Sequence, residues 1–270
     1  MFRNRVPTHV RALSHCAPLL IAAVPLVVAA QSQAPSSGAW PTMRHQIYGS
    51  RDIGEGSDQL MSIEAPGSTP DPTATPVVVR FGPVLQGKVK QVRVIIDNNP
   101  SPLATTMDLA AGLPVEEIDL RVRIDRYTTV RAVAETADGK LEMRSTWVNA
   151  SGGCSAPPAA AGGGVLGQIR FRPSPDAHAL QISIRHPNNS GFQIDPRTGD
   201  PIPPHFVAHI RLSAAGQTLM EADTGISLSE NPTLRIASSK PLASPLTVDA
   251  SDIPTQEHFT ATWTAGAGSR

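Results

Sequence analysis

Cys154 is the residue with the clearest chemical potential. It stands in Ser151-Gly152-Gly153-Cys154-Ser155-Ala156-Pro157-Pro158, directly after a strand-like run. A thiolate is a strong nucleophile, so a lone cysteine is either a buried spectator or a reactive thiol that meets something from outside. Gly152 and Gly153 carry no side chains and free the backbone, so the spacing predicts a thiol on a thin, flexible arm reaching about 13 Å beyond the strand end. Within ten residues on either side, Arg144 is the only basic side chain. The sequence therefore supplies no local cause for a depressed thiol pKa, and attack on a substrate needs activation from elsewhere.

Other constellations are weaker. His205 and His209 are four residues apart in a run that alternates like a strand, which separates them by about 13 Å, too far for one metal ion. His186-Pro187 stands at a strand end as turn chemistry. Glu116, Glu117 and Asp119 form an acidic knot expected on a solvated strand edge. The chain contains no G-x-S-x-G elbow, P-loop, G-x-G-x-x-G or C-x-x-C motif. No catalytic group, metal or cofactor is expected.

The elements that must position Cys154 follow from composition and pattern. The chain has 270 residues, 40% hydrophobic and 17% charged, enough to build a core and too apolar for disorder. Lys+Arg and Asp+Glu are both 23, which argues against a nucleic-acid binder. Proline is 26 of 270 and favours short strands over long helices. Residues 1–30 have the form of a signal peptide. Arg3, Arg5 and Arg11 precede the apolar run 17–30, and Val28-Ala29-Ala30 is a small-residue cleavage site. Cleavage would remove three of the 23 basic side chains and none of the acidic ones, leaving a net charge of −3. It would also remove Cys16, so the exported chain keeps Cys154 alone. The expected location is the periplasm, with no membrane contact after cleavage.

Residues 31–40 are expected to be a linker, and the low-pattern stretch continues to about residue 75. Alternation then begins. In 118–124, Ile118, Leu120, Val122 and Ile124 share one face, with Asp119, Arg121 and Arg123 on the other. Residues 127–136 and 140–148 flank Ala137-Asp138-Gly139, a hairpin signal. Trp147 and Trp263 lie in strand patterns and are expected in cores. After the uncharged stretch 151–164, short strands resume to the end of the chain. The fold class is all-β: two tandem β-sandwiches, 41–150 and 165–270, joined by the flexible Gly/Ala/Pro-rich segment 151–164 that bears the cysteine. The halves are expected to pack together and not hang as beads.

Several of these segments resemble a known family. Ile96-Asp97-Asn98-Asn99-Pro100-Ser101-Pro102-Leu103-Ala104, Glu135-Thr136-Ala137-Asp138-Gly139-Lys140-Leu141 and Ala150-Ser151-Gly152-Gly153-Cys154 resemble SoxY, the sulfur-carrying subunit of the bacterial thiosulfate-oxidising system. Ile184-Arg185-His186-Pro187, Ser190-Gly191-Phe192 and Pro201-Ile202-Pro203-Pro204-His205-Phe206 resemble its partner SoxZ. The chain looks like a SoxY–SoxZ fusion and is most similar to the fused carriers associated with quinoprotein (PQQ-dependent) dehydrogenases.

The resemblance implies immunoglobulin-like sandwiches that pair in the periplasm. It also implies Cys154 as the cargo-attachment residue, Gly152 and Gly153 as its flexible approach, and a carrier that performs no turnover itself. The partners it implies are sulfur-oxidising enzymes or a PQQ-dependent dehydrogenase. In place of a free Gly-Gly-Cys-Gly-Gly end, Ser155-Ala156-Pro157 follow the cysteine here and the chain runs on. The alternative expectation is a non-covalent accessory or scaffold protein for a quinoprotein dehydrogenase.

Overall fold

The structure, a computed structural model, describes residues 39–158 and 164–265. The signal-peptide assignment lies outside them, as does part of each expected linker. In chain order the first half runs through helix α1 (Ala39–Tyr48) and strands β1 (Ile53–Gly54), β2 (Met61–Glu64), β3 (Thr75–Phe81), β4 (Val89–Ile96), β5 (Leu103–Leu109), β6 (Val115–Val122), β7 (Thr128–Thr136) and β8 (Leu141–Val148). The second half contributes β9 (Ile169–Pro173), β10 (Ala179–Ile184), β11 (Phe206–Ala214), β12 (Gln217–Thr224), β13 (Thr233–Ser238), β14 (Leu246–Ile253) and β15 (His258–Trp263). Each half is an immunoglobulin-like sandwich, as the alternation predicts. Among the described residues, no helix is long and apolar enough to cross a membrane.

The two sandwiches are fused edge to edge. One sheet has the order β1-β8-β7-β4-β5-β12-β11-β14-β15, the other β2-β3-β6-β13-β10-β9. The joins are antiparallel: β12 on β5, with Ala222 opposite Met107, and β13 on β6, with Leu234 opposite Leu120 and Ile236 opposite Ile118. Pairing at both joins satisfies backbone groups that two free sandwich edges would leave open. One buried cluster runs through both halves, from Val77, Val94 and Ile118 to Ile182, Leu212 and Val248. The described residues form one compact unit, so the halves do not hang as beads.

Residues 39–64 correct the expectation of a linker and an irregular entry. Pro41 lies in the first turn of α1, where its missing N–H costs nothing. Gly49, at φ 61°, ends the helix and donates its amide to the His45 carbonyl. Trp40, Met43, Ile47 and Tyr48 lie on one helix face and cover Ile95, Val133, Leu141 and Met143. This explains why β7 is buried along nearly its whole length. Val130, Ala132 and Ala134 face the inter-sheet core, and Val133 faces the helix. Ile95 beside Ile96 breaks the alternation of β4 for the same reason.

The acidic knot is also corrected. β6 is an interior strand, and Glu117 bridges Arg80 on β3 and Arg235 on β13 instead of lying on a solvated edge. Trp263 is buried, but Trp147 is only partly so, with its indole N–H donated to Asn149 Oδ1 at 2.7 Å.

Candidate functional site

Cys154 is fully buried, and the segment around it is not the flexible arm that its glycines suggest. After β8 the chain folds inward in a tight turn. Gly152 donates its amide to Asp125 O and Gly153 to Ile124 O, both at 2.9 Å. Ala156 then donates back to Gly152 O at 2.9 Å and closes the turn.

The glycines serve two separate needs. Gly152 adopts φ 82°, which L residues with side chains resist, though a Cβ there would meet nothing within 4 Å. Gly153 allows close packing: a Cβ would lie 2.2 Å from Pro72 O and 2.7 Å from Ile124 O. Sequence alone does not separate a glycine needed for mobility from one needed for close approach.

The second half closes the turn from the other side. Ser190 donates its hydroxyl to the Cys154 carbonyl, and Gln193 Nε2 donates to Ala156 O at 3.1 Å. Gln193 in turn orients the loop, its Oε1 accepting the Ser190 amide at 3.0 Å. Arg123, just past the end of β6, spans both halves. Its Nη1 donates to Gly153 O at 3.1 Å and its Nη2 to Asn188 O at 3.2 Å. Alternation places Arg123 on the polar face of its strand, yet it is 2% exposed. Loop 186–193 of the second half covers that face, a long-range contact that no local pattern records.

Burial sets the chemistry of the thiol. Desolvation pushes the Cys154 pKa up, the Asp125 carboxylate adds to this, and Arg123 only partly opposes it, leaving a value of about 12. At neutral pH the docked thiol is therefore held in its protonated form. Desolvation also lowers the Arg123 pKa, and the nearby Cys154 opposes that shift. Beside the base of the turn lies an open cleft of about 700 Å³ lined by Asn98, Pro102, Arg126, Tyr127 and Ser151.

His205 and His209 do not meet, as expected from strand spacing. His209 Nδ1 faces Asp223 at 3.0 Å. His205 instead joins His186 on one carboxylate: Asp252 Oδ2 lies 2.7 Å from His205 Nε2 and 3.2 Å from His186 Nε2. The sequence reading missed this trio because it assembles from β14 and two loops. Its ligand atoms lie within 4.8 Å of one another, close enough for a metal. The hydrogen bonding does not fit one. The Asn188 amide donates to His186 Nδ1 at 3.1 Å, so Nε2 carries the ring proton and gives it to Asp252. Asp252 Oδ1 also accepts from Thr255 Oγ1 at 2.5 Å and the Glu257 amide at 2.9 Å. The trio is a clamp that fixes the loops preceding the Cys154 contacts.

Two sandwiches merged through both sheets and closed over a buried Gly-Gly-Cys turn define a paired β-sandwich protein. Residues 44–154 match the family of sulfur oxidation protein SoxY, and residues 172–264 match that of sulphur oxidation protein SoxZ. The chain is a fusion of a SoxY domain with a SoxZ domain, both from families of sulfur oxidation proteins.

Among solved structures, the sulfur carrier protein SoxY from Chlorobium limicola f thiosulfatophilum is 21% identical, covering 42% of this chain and 97% of its own, with a TM-score of 0.36. A superoxide reductase (neelaredoxin) variant from Ignicoccus hospitalis is 12% identical, covering 34% of this chain and 79% of its own, with a TM-score of 0.30. A putative superoxide reductase from Thermotoga maritima is 15% identical over 37% and 92%, with a TM-score of 0.31. No curated protein matches this chain.

Proposed function

We propose that this protein is a periplasmic covalent carrier that holds a sulfur-containing cargo on Cys154 and presents it to partner enzymes. The observation that carries this reading is that the SoxY match ends on Cys154 itself, at the Gly-Gly-Cys turn. Loading requires a thiolate, and a docked thiol with a pKa of about 12 supplies almost none. The turn must therefore leave its seat to load and unload, and the docked form stores the thiol or its adduct. The signal-peptide-like leader supports export, and the partners in this reading are sulfur-oxidising enzymes or a PQQ-dependent dehydrogenase. The test is the intact mass of protein taken from its native periplasm, before and after mild reduction. A reductant-sensitive adduct on Cys154, in sulfur or sulfur-oxyanion increments, is the expected result. A bare thiol that stays inert toward thiosulfate and sulfide donors overturns it.

The complete burial of Cys154 favours a second reading. In it the protein is a non-covalent accessory to a quinoprotein dehydrogenase system and the cysteine is a packing residue. Cys154→Ser separates the two: it abolishes a carrier and leaves a scaffold working.

A further inference from the structure

The loop that covers the cysteine turn pivots on one buried residue, Asn188. Its backbone is left-handed, at φ 50°, and its hydrogen bonds hold it there. The side chain accepts from the Val207 amide at 3.0 Å and donates to Leu228 O at 3.3 Å. Its amide donates to His186 Nδ1 at 3.1 Å. Its carbonyl accepts from Arg123 Nη2, while Arg123 Nη1 donates to Gly153 O. Two residues on, Ser190 holds the Cys154 carbonyl.

The bond to His186 is the one that a proton breaks. The ring is fully buried, with Nδ1 accepting from Asn188 and Nε2–H facing Asp252 Oδ2. A protonated His186 carries an N–H on both nitrogens. Its Nδ1–H would then face the Asn188 N–H, two buried donors without an acceptor. His205 differs: its Nε2 donates to the same carboxylate with or without a second proton, so its ionisation breaks no bond. Its ring centroid lies 4.5 Å from that of His186, so a charge on His205 opposes one on His186. Phe259 on β15 lies 6.2 Å away, centroid to centroid, and brings no charge. Farther out, Arg185, Asp195, Arg197 and Glu230 line the cleft beside the loop. Burial lowers the His186 pKa and His205 adds to this, while Asp252 opposes it.

We propose that His186 is a pH-sensitive catch on the cysteine turn: a proton taken up at Nδ1 breaks its bond to Asn188, loosens loop 186–193 and frees Cys154. This control of access goes beyond the carrier reading and applies whether Cys154 holds a cargo or only packs. The docked ring is neutral, so the closed loop binds this proton less readily than the open one. Opening is therefore favoured as pH falls below the ordinary histidine value of about 6.5.

The test is the rate of maleimide labelling in the full chain, read by mass on the peptide bearing Cys154, from pH 7 to pH 5. Wild type is compared with His186→Asn, whose side-chain oxygen can accept the Asn188 amide and does not titrate. The ratio of the two rates at each pH cancels the thiol's own ionisation. It should rise about tenfold from pH 7 to pH 5. His205→Gln, which keeps a donor for Asp252, should show the same rise over His186→Asn. A flat ratio overturns the inference and leaves the carrier reading standing.

Hydrogen exchange on the wild type reads the same opening without a variant. Protection of the Asn188 amide, corrected for the intrinsic effect of pH, should fall about tenfold over this range. It should stay below that of β4 and β7 at each pH and respond little to low denaturant. An Asn188 amide that opens only together with β4 and β7 overturns the inference, because the proton then acts through global unfolding.

Discussion

The hydroxyl of Ser190, in the SoxZ half, donates to the carbonyl of Cys154, at the end of the SoxY half. The cysteine turn is thus latched by the domain that follows it in the same chain. Fusion keeps that latch permanently at hand, because the two halves cannot separate. Ser190→Ala removes the bond and leaves the packing in place. A neutral hydrogen bond contributes about 0.5–1.5 kcal/mol, so Cys154 labelling by a maleimide should rise by about two- to tenfold. The measurement is a labelling rate on the chain without residues 1–30, with Cys154→Ser giving the blank. An unchanged rate would show that the bond does not hold the turn.

Gly153→Ala is a harsher test. A Cβ placed 2.2 Å from the Pro72 carbonyl cannot be accommodated by side-chain movement, since the obstacle is backbone. The turn should undock while both sandwiches stay folded. The thiol pKa should then fall from about 12 toward the ordinary cysteine range near 8.5, and labelling at pH 8 should rise at least about a hundredfold. A pH titration of the labelling rate reads both numbers. Gly152→Ala should act more mildly, because a Cβ there meets open space and only the left-handed backbone opposes it.

The strand pattern of this fold was legible in the sequence because alternation survives wherever one face is buried and the other is wet. It failed where a second layer covers the outer face, as at Ile95 and Val133 beneath α1. The helix itself was hidden in a Ser/Pro/Gly-rich stretch, since its apolar stripe is short. Cys154 stood out in the sequence as the candidate site residue, but its buried environment was not legible. Gly-Gly before a cysteine has the same letters whether it frees a backbone or packs it against Pro72 and Ile124. Arg123, Ser190 and Gln193 come to the turn from distant segments, so no local spacing could bring them together.

The clamp at Asp252 predicts acid sensitivity. Burial pushes its pKa up, but hydrogen bonds from Thr255, His205, His186 and the Glu257 amide outweigh this and hold it at about 2. Burial lowers the His186 pKa, with Asp252 opposing. Both groups bind protons more readily in the unfolded chain. Stability should be full above about pH 6.5, decline below it as unfolded His186 takes up a proton, and drop further between about pH 4 and 2 as the Asp252 contribution is lost. The Asp252 part is roughly 2 kcal/mol. Denaturant melts of wild type and Asp252→Asn across this range test it. The variant should be less stable at pH 7, and its curve should flatten below pH 4. Parallel curves would remove Asp252 as the cause.

The shared sheets predict one unfolding transition for the two halves. Leu120 on β6 and Leu234 on β13 face each other across the join, and both are buried in the common core. Leu120→Ala, in the SoxY half, should cost about 2–5 kcal/mol, as truncations of buried leucine do. If the join is cooperative, the loss spreads to the SoxZ half as well. Hydrogen exchange in mild denaturant reads the halves separately, through β4 and β7 on one side and β11 and β14 on the other. Protection should fall by the same amount on both sides. Loss confined to β4 and β7 would mean that the β6–β13 and β5–β12 pairings join two domains that open independently. The SoxZ half would then remain folded after the cysteine turn had lost its seat on Ile124 and Pro72, and Ser190 could no longer act as its latch.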